Sequence, residues 1–436
     1  MRLKTFGHAC LAVEDYSKKL VLITDPWLIG SCYYNSWFLE HYPSSNEINY
    51  LKTTEFIYFT HEHPDHFHSL SIDLFSKATK ILIPDFPTKT MKAFLEKRGF
   101  EVFEVTKHRW LRLSQNISIF IIPVFGEDSI LLIKTGSVLL INQNDAPVSK
   151  NNANIINKIF NQNELSKKIL LRSYSNASSL NSFFLDNSRV SIFGKNIFLD
   201  RVKKSCNEMR ADYYIPFASQ AVFLHYKSSW ANEFRVTMSD FKEDWNCNTT
   251  LLPVYITLDL TDFSFRSVTA AEYNKVDNHQ LSDSQKNLME KHRPRIKDSD
   301  MFHVKRRLSK YRIFFMLGFI TNISIILDTA EIISYSFITD QIIRGSSQAP
   351  DITLKINSTL LFDAFKYDHI EDLALSQLCE VHLSHKYLRR FHVLYMYFFF
   401  HIWSRMRGYG YFRTWKIFFK MMSYFLLPAK LDLREK

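Results

Sequence analysis

Glycine and proline are scarce, 10 and 12 in a chain of 436 residues. With 46 % apolar and 23 % charged residues, the composition is globular and not low-complexity. Cysteine is scarcer still. The five (Cys10, Cys32, Cys206, Cys247, Cys379) are odd in number and show no paired ligand spacing. That excludes a disulfide framework or a zinc knuckle and points to a reducing compartment, so a cytoplasmic setting is expected. No stretch reaches 18 uninterrupted apolar residues, so no membrane-spanning helix is expected. The opening MRLKTFGHAC lacks the apolar segment of a signal peptide.

Aromatics are plentiful: 38 Phe and 21 Tyr make a large core possible. The length leaves room for two domains, or three. The net charge of +11 is uneven. From Lys386 onward there are eleven Lys and Arg against Asp432 and Glu435, so most of the excess belongs to the tail.

The stretch FIYFTHEHPDHFH (56–68) organises the chain. A β-prone apolar run leads into His61, His63, Asp65 and His66, the ligand types that borderline divalent metals prefer. The spacing allows His61 and His63 to serve one metal and Asp65 with His66 a second. This motif resembles that of the metallo-β-lactamase superfamily.

Around it, strands and helices alternate. Residues 1–13 read as one strand and 20–24 as the next. TKTMKAFLEKRG reads as a helix capped by Thr88 and stopped by Gly99. SILLIKTGSVLLINQND (129–145) reads as a hairpin about Gly136, and 151–170 as one helix. An α/β layer architecture follows. With the resemblance it becomes an αββα sandwich, followed by a C-terminal α+β accessory region and a basic aromatic helical tail. The expected boundaries are 1–245, 246–385 and 386–436. No ligand-spaced cluster occurs after 245, so catalysis is not expected there.

The phrases GHAC and LITDPWL also resemble the lactonase-like and CMP-N-acetylneuraminate hydroxylase-like branches, and NQND (142–145) and IPFASQAVFLHYKSSWANE (215–233) resemble the hydroxylase-like branch. There a histidine like His8 and an aspartate like Asp25 lie beside the metal centre, and a late strand-end aspartate, matched by Asp145, bridges two metals. Asp25 reads either as an acceptor orienting a ligand histidine or as a turn residue before Pro26. His225 is the match for the last ligand histidine, with a substrate-pocket or structural role as the alternatives. Ser219 could face the substrate. The usual third histidine is missing: FGEDS stands in its place, and Glu127 or Asp128 could supply an oxygen ligand, favouring iron or manganese over zinc. Residues 28–50 read as an overhanging loop with Trp37, His41 and Tyr42 as wall residues.

The expected function is a metal-dependent hydrolase with two divalent ions, acting on a small anionic or sugar-like substrate with Asp65, His225 and Ser219 as catalytic residues. One alternative is an iron-dependent oxygenase of nucleotide-sugar or glycan metabolism. The hydroxylases it resembles carry an N-terminal Rieske domain, whereas this chain starts at the metallo-β-lactamase opening and its cysteines show no Rieske pattern. A separate electron donor would then be needed. A non-catalytic scaffold is the other alternative. The tail fits an interfacial helix at the inner membrane face, a dimer contact, or core packing. Nucleic acid is not an expected partner.

Overall fold

A computed structural model describes residues 1–174, 178–185, 187–189, 194–267, 274–275, 296–346, 349–367, 369–384, 395, 416–417, 419–420 and 435. The tail 386–436 therefore falls almost wholly outside the described residues. Among the described residues no helix is long and apolar enough to cross a membrane.

Two mixed sheets stack face to face. The first runs Phe265–Ser267, Ile256–Asp259, Arg2–Phe6, Cys10–Glu14, Leu20–Thr24, Phe56–Tyr58, Lys80–Pro84, Val102–Val105. The second runs Trp110–Arg112, Ile117–Val124, Asp128–Thr135, Val138–Asn144, Lys167–Arg172, Tyr213–Pro216, Thr250–Leu251. Their central strands are buried on both faces, and alternate side chains divide between two cores. Ile119, Ile121, Leu131 and Ile133 meet Leu3, Leu11, Val13 and Leu82 between the sheets. Phe120, Ile122, Ile130 and Leu132 point outward, onto Ile156, Val202 and Phe241 of the helices Lys150–Gln162, Lys195–Met209 and Met238–Asp244. Leu51, Ile72 and Leu95, from the helices Ser45–Leu51, Ser69–Ile72 and Thr90–Lys97, cover the first sheet in the same way. The result is the expected αββα sandwich.

Several local expectations are corrected. Residues 1–13 form two strands, Arg2–Phe6 and Cys10–Glu14, paired antiparallel about Gly7 at φ +63°. Residues 151–170 split into the end of the helix Lys150–Gln162 and the strand Lys167–Arg172, because Asn163 caps the helix. Thr88 is not the cap of the helix Thr90–Lys97: Lys89 holds that position, and the Thr88 hydroxyl is drawn to Glu127.

A third sheet runs Ser188–Arg189, Phe183–Leu185, Cys379–Leu383, Ile352–Ile356, Asn322–Leu327, Ile332–Ser336, Gln341–Arg344. It packs with the helices Asp298–Lys310 and Ser358–Tyr367 around Ile325, Tyr335 and Leu361. Strand pairing crosses residue 245 both ways. Phe183–Leu185 joins Cys379–Leu383, while Ile256–Asp259 joins Arg2–Phe6.

Ile133, fully buried at the sheet interface, tests this packing. Ile133→Ala is expected to lower unfolding free energy by about 2–5 kcal/mol. Phe265→Ala, at a half-exposed edge, should change it by no more than about 0.5 kcal/mol in the same denaturant titration. His68 supplies a pH test. Its Nδ1 accepts the Ser71 N–H at 3.2 Å, capping the helix Ser69–Ile72, and burial pushes the imidazole down to about 4. The folded chain thus binds fewer protons than the unfolded one between about pH 6.5 and 4, and stability falls with acidification across that window. The metal-free protein should lose about 2–3 kcal/mol there by this route, and the His68→Asn variant distinctly less.

Candidate metal centre

The strands Leu20–Thr24, Phe56–Tyr58 and Lys80–Pro84 are parallel, as are Val138–Asn144, Lys167–Arg172 and Tyr213–Pro216. Parallel strands deliver their C-terminal ends to one edge, where a crevice forms. Asp25, the 61–66 cluster, Asp145 and Ser219 all follow such ends.

After Tyr58 the chain closes a tight turn, with the N–H groups of His66 and Phe67 donating to the His63 carbonyl at 3.0 and 2.7 Å. This turn converges the four ligand-type side chains. Their orientation comes from Asp25, which is fully buried. Its Oδ1 accepts the Thr60 N–H at 2.8 Å, and its Oδ2 accepts the Thr60 hydroxyl at 2.7 Å and His66 Nδ1–H at 2.9 Å. Because the Thr60 proton goes to Asp25, the Thr60 oxygen accepts from His61 Nδ1–H, 3.0 Å away. One carboxylate thus sets the tautomers of two rings and turns both Nε2 atoms inward. Asp128 Oδ1 stands 3.3 Å from the same His61 Nδ1.

The inward atoms form two groups. His61 Nε2 lies 2.9 Å from His63 Nδ1. Asp65 Oδ2 lies 3.0 Å from His8 Nε2 and 3.8 Å from His66 Nε2, which is 3.3 Å from Asp145 Oδ2. The ligand atoms of His8, Asp65 and His66 fall within 4.8 Å of one another, as do those of His61, His66 and Asp145. Tyr33 donates its hydroxyl to Asp65 Oδ1 at 2.6 Å, leaving Oδ2 for the cluster.

The charges suit a cation. Burial alone would raise Asp65, yet His66, His8 and His63 hold it well below the carboxylate range. Burial would lower His66, but Asp65, Asp145 and Asp25 together raise it well above the imidazole range. Burial, and next the Asp145 charge, push Asp128 up to about 7. His66 Nε2 and both ring nitrogens of His8 are buried without a hydrogen bond of good geometry. Such atoms call for a partner, and a divalent ion among these donors is the chemically matched one.

Paired sheets, flanking helices, a His-x-His-x-Asp-His turn after one parallel strand and an aspartate after another now stand together. This is a metallo-β-lactamase fold.

No protein-family model matches the chain. A protein of Mycobacterium tuberculosis named as a Rieske 2Fe-2S iron–sulfur protein is 30 % identical over 159 residues, 34 % of this chain and 30 % of that protein. The cytidine monophosphate-N-acetylneuraminic acid hydroxylase of Asterias rubens is 32 % identical over 87 residues, 20 % of this chain and 12 % of that protein. The chain thus spans 30 % or less of the length of these curated relatives. Among solved structures, the isothiocyanate hydrolase from Delia radicum gut bacteria superposes with a TM-score of 0.40 at 13 % identity, covering 60 % of this chain and 99 % of that one.

Other expected site residues lie elsewhere in the metallo-β-lactamase frame. Glu127 turns away from the clusters, both carboxylate oxygens being engaged by Thr88. His225 belongs to neither cluster. Its Nδ1 accepts the Lys227 N–H at 3.1 Å, its ring stacks on Tyr226, and burial, with Lys227, pushes it down to about 4. Ser219 is also outside them, its hydroxyl oxygen accepting the Tyr174 N–H at 2.9 Å. Of the proposed wall residues, Trp37 packs on Tyr33, His41 on Tyr255, and the Tyr42 hydroxyl binds the Gly30 carbonyl.

Two residues at the site carried no sequence signal. Tyr33 begins a run of three left-handed residues, Tyr33, Tyr34 and Asn35 at φ 50°, 59° and 60°, an uncommon conformation outside glycine. Glu371, from the region after 245 where no catalysis was expected, places Oε2 3.5 Å from His63 Nε2.

Asp25→Asn should weaken metal binding by about 10–100-fold, because the amide cannot hold both imidazole tautomers. Titration against a chromophoric chelator measures this. Wild-type affinity in the variant would remove Asp25 from the account of the centre.

Proposed function

We propose that the chain is a metal-dependent hydrolase working through a binuclear centre on a small anionic or sugar-like substrate. The observation that carries this reading is the inward turn of His61 Nε2 onto His63 Nδ1 and of His66 Nε2 onto Asp65 and Asp145, with the ligand atoms of His8, Asp65 and His66 in one group and those of His61, His66 and Asp145 in another. His61 and His63 would hold one ion, and His8, Asp65 and His66 the other, with Asp145 between them. Bound there, divalent ions supply a hydroxide at neutral pH and polarise the group under attack.

The protein's own part is orientation and access. Tyr33 fixes Asp65, and Asp25 fixes His61 and His66. Asp145 and His63 have side chains 35 % and 18 % exposed, while His61 and His66 are sealed, so substrate and water would arrive across the Asp145–His63 edge. The five cysteines, all unpaired and four of them buried, support a reducing, cytoplasmic setting.

A second reading has its own support. The similarity to a hydroxylase named for a cytidine monophosphate-linked sugar favours an oxygenase, although Asp128, expected as an oxygen ligand, stands at the outer Nδ1 of His61 and outside both groups of inward ligand atoms. That chemistry requires a redox-active ion and an electron donor.

Metal content of anaerobically purified protein decides between them. Zinc is expected on the hydrolase reading, two irons per chain would move the assignment to the oxygenase, and no metal would leave a scaffold. Asp145→Ala should abolish turnover, by at least about a hundredfold, while its far-ultraviolet circular dichroism matches the wild type. An unchanged rate would sink the catalytic role of the centre.

A further inference from the structure

The helix Ile370–Ser376 is buried along its whole length, with Glu371 and Asp372 included. Carboxylates are rarely buried unless something specific meets them. The sandwich holds this helix by its carbonyls. Trp37 Nε1–H donates to Leu375 O at 3.2 Å, and the Ser36 hydroxyl to Ser376 O at 2.7 Å. The Ser182 hydroxyl donates to Ala374 O, also at 2.7 Å. Leu375 packs in one cluster with Trp27, Tyr33 and Trp37. Asp372 has its charge met locally by His369 Nδ1 at 3.0 Å. Glu371 Oε2 instead faces His63 Nε2 in the metal centre at 3.5 Å, both atoms being buried and without a hydrogen bond of good geometry.

That contact completes a pattern. His66 has Asp25 on its outer nitrogen at 2.9 Å, and the outer nitrogen of His61, which donates to Thr60, has Asp128 beside it at 3.3 Å. A ligand histidine ordinarily donates its outer N–H to such a carboxylate, which fixes tautomer and ring angle. For His63 the outer nitrogen is Nε2, since Nδ1 faces His61. We infer that Glu371 is the positioning carboxylate of His63, holding the proton on Nε2 and presenting Nδ1 to the ion shared with His61. A metal site of the sandwich is then completed by the C-terminal region. This rests on the binuclear reading above.

The test uses the full chain, stripped of metal and titrated with Co(II) against a chromophoric chelator. Wild type should take up two equivalents. In Glu371→Gln one equivalent should weaken by about 10–100-fold and its visible Co(II) band should shift, while the other equivalent and the metal-free melting curve stay as in wild type. In a His63→Ala background the same change should cost nothing further. Asp372→Asn, removing the neighbouring acid of the same helix, should leave both affinities intact. Should the amide variant not fold, Glu371→Asp withdraws the carboxylate by one methylene and should weaken the same equivalent. Unchanged uptake in the folded variant, or an equal loss in the His63→Ala background, overturns the inference and leaves the binuclear reading standing. A wild type that takes up no Co(II) overturns both.

Discussion

The centre depends on one buried carboxylate. Asp25 leaves the strand Leu20–Thr24 in a left-handed conformation and accepts three hydrogen bonds from the turn that follows the neighbouring strand. An aspartate removed from water in this way is stable only while its donors stay in place. The arrangement therefore works in both directions. The donors satisfy the buried Asp25 oxygens, and Asp25 keeps Thr60, His61 and His66 at the angles that turn both Nε2 atoms inward.

The sandwich fixes the position of that turn. Its strands are apolar on both faces, so each layer buries one set of side chains between the sheets and another under helices. Parallel pairing then brings residues far apart in sequence to one edge. Ala218 N–H donates to His8 O at 2.8 Å, tying the first hairpin to the end of the strand Tyr213–Pro216. The rigid layers fix the positions of the donors, and the short hydrogen-bonded turns fix their directions.

The C-terminal sheet is more than an appendage. Phe183–Leu185 pairs into it from the sandwich side, and its helix Ile370–Ser376 is gripped by Ser36, Trp37 and Ser182. Packing of this kind lets the two parts share one environment, with Tyr33 and Leu375 in a single apolar cluster.

Legibility follows range. His61, His63, Asp65 and His66 could be read because one turn holds them within six residues, and a spacing that short survives any tertiary arrangement. The hairpin that presents Asp145 and the layered α/β class were readable for the same reason, since short apolar runs bounded by turn residues are local signals. Glu127 and Asp128 could not be told apart, because Glu127 ends a turn in a left-handed conformation while Asp128 opens the strand, and only their long-range contacts, with Thr88 and with the outer nitrogen of His61, show where each carboxylate points. His225 carried a resemblance in its surrounding block, but its ring direction is set by Lys227 and Tyr226. Tyr33 and Glu371 left no trace in the sequence. Glu371 reaches a histidine some three hundred residues earlier only because a separate sheet docks its helix there. Local chemistry named the metal-binding turn, while the partners that orient it were settled by packing, because long-range contacts depend on the whole fold and on no spacing along the chain.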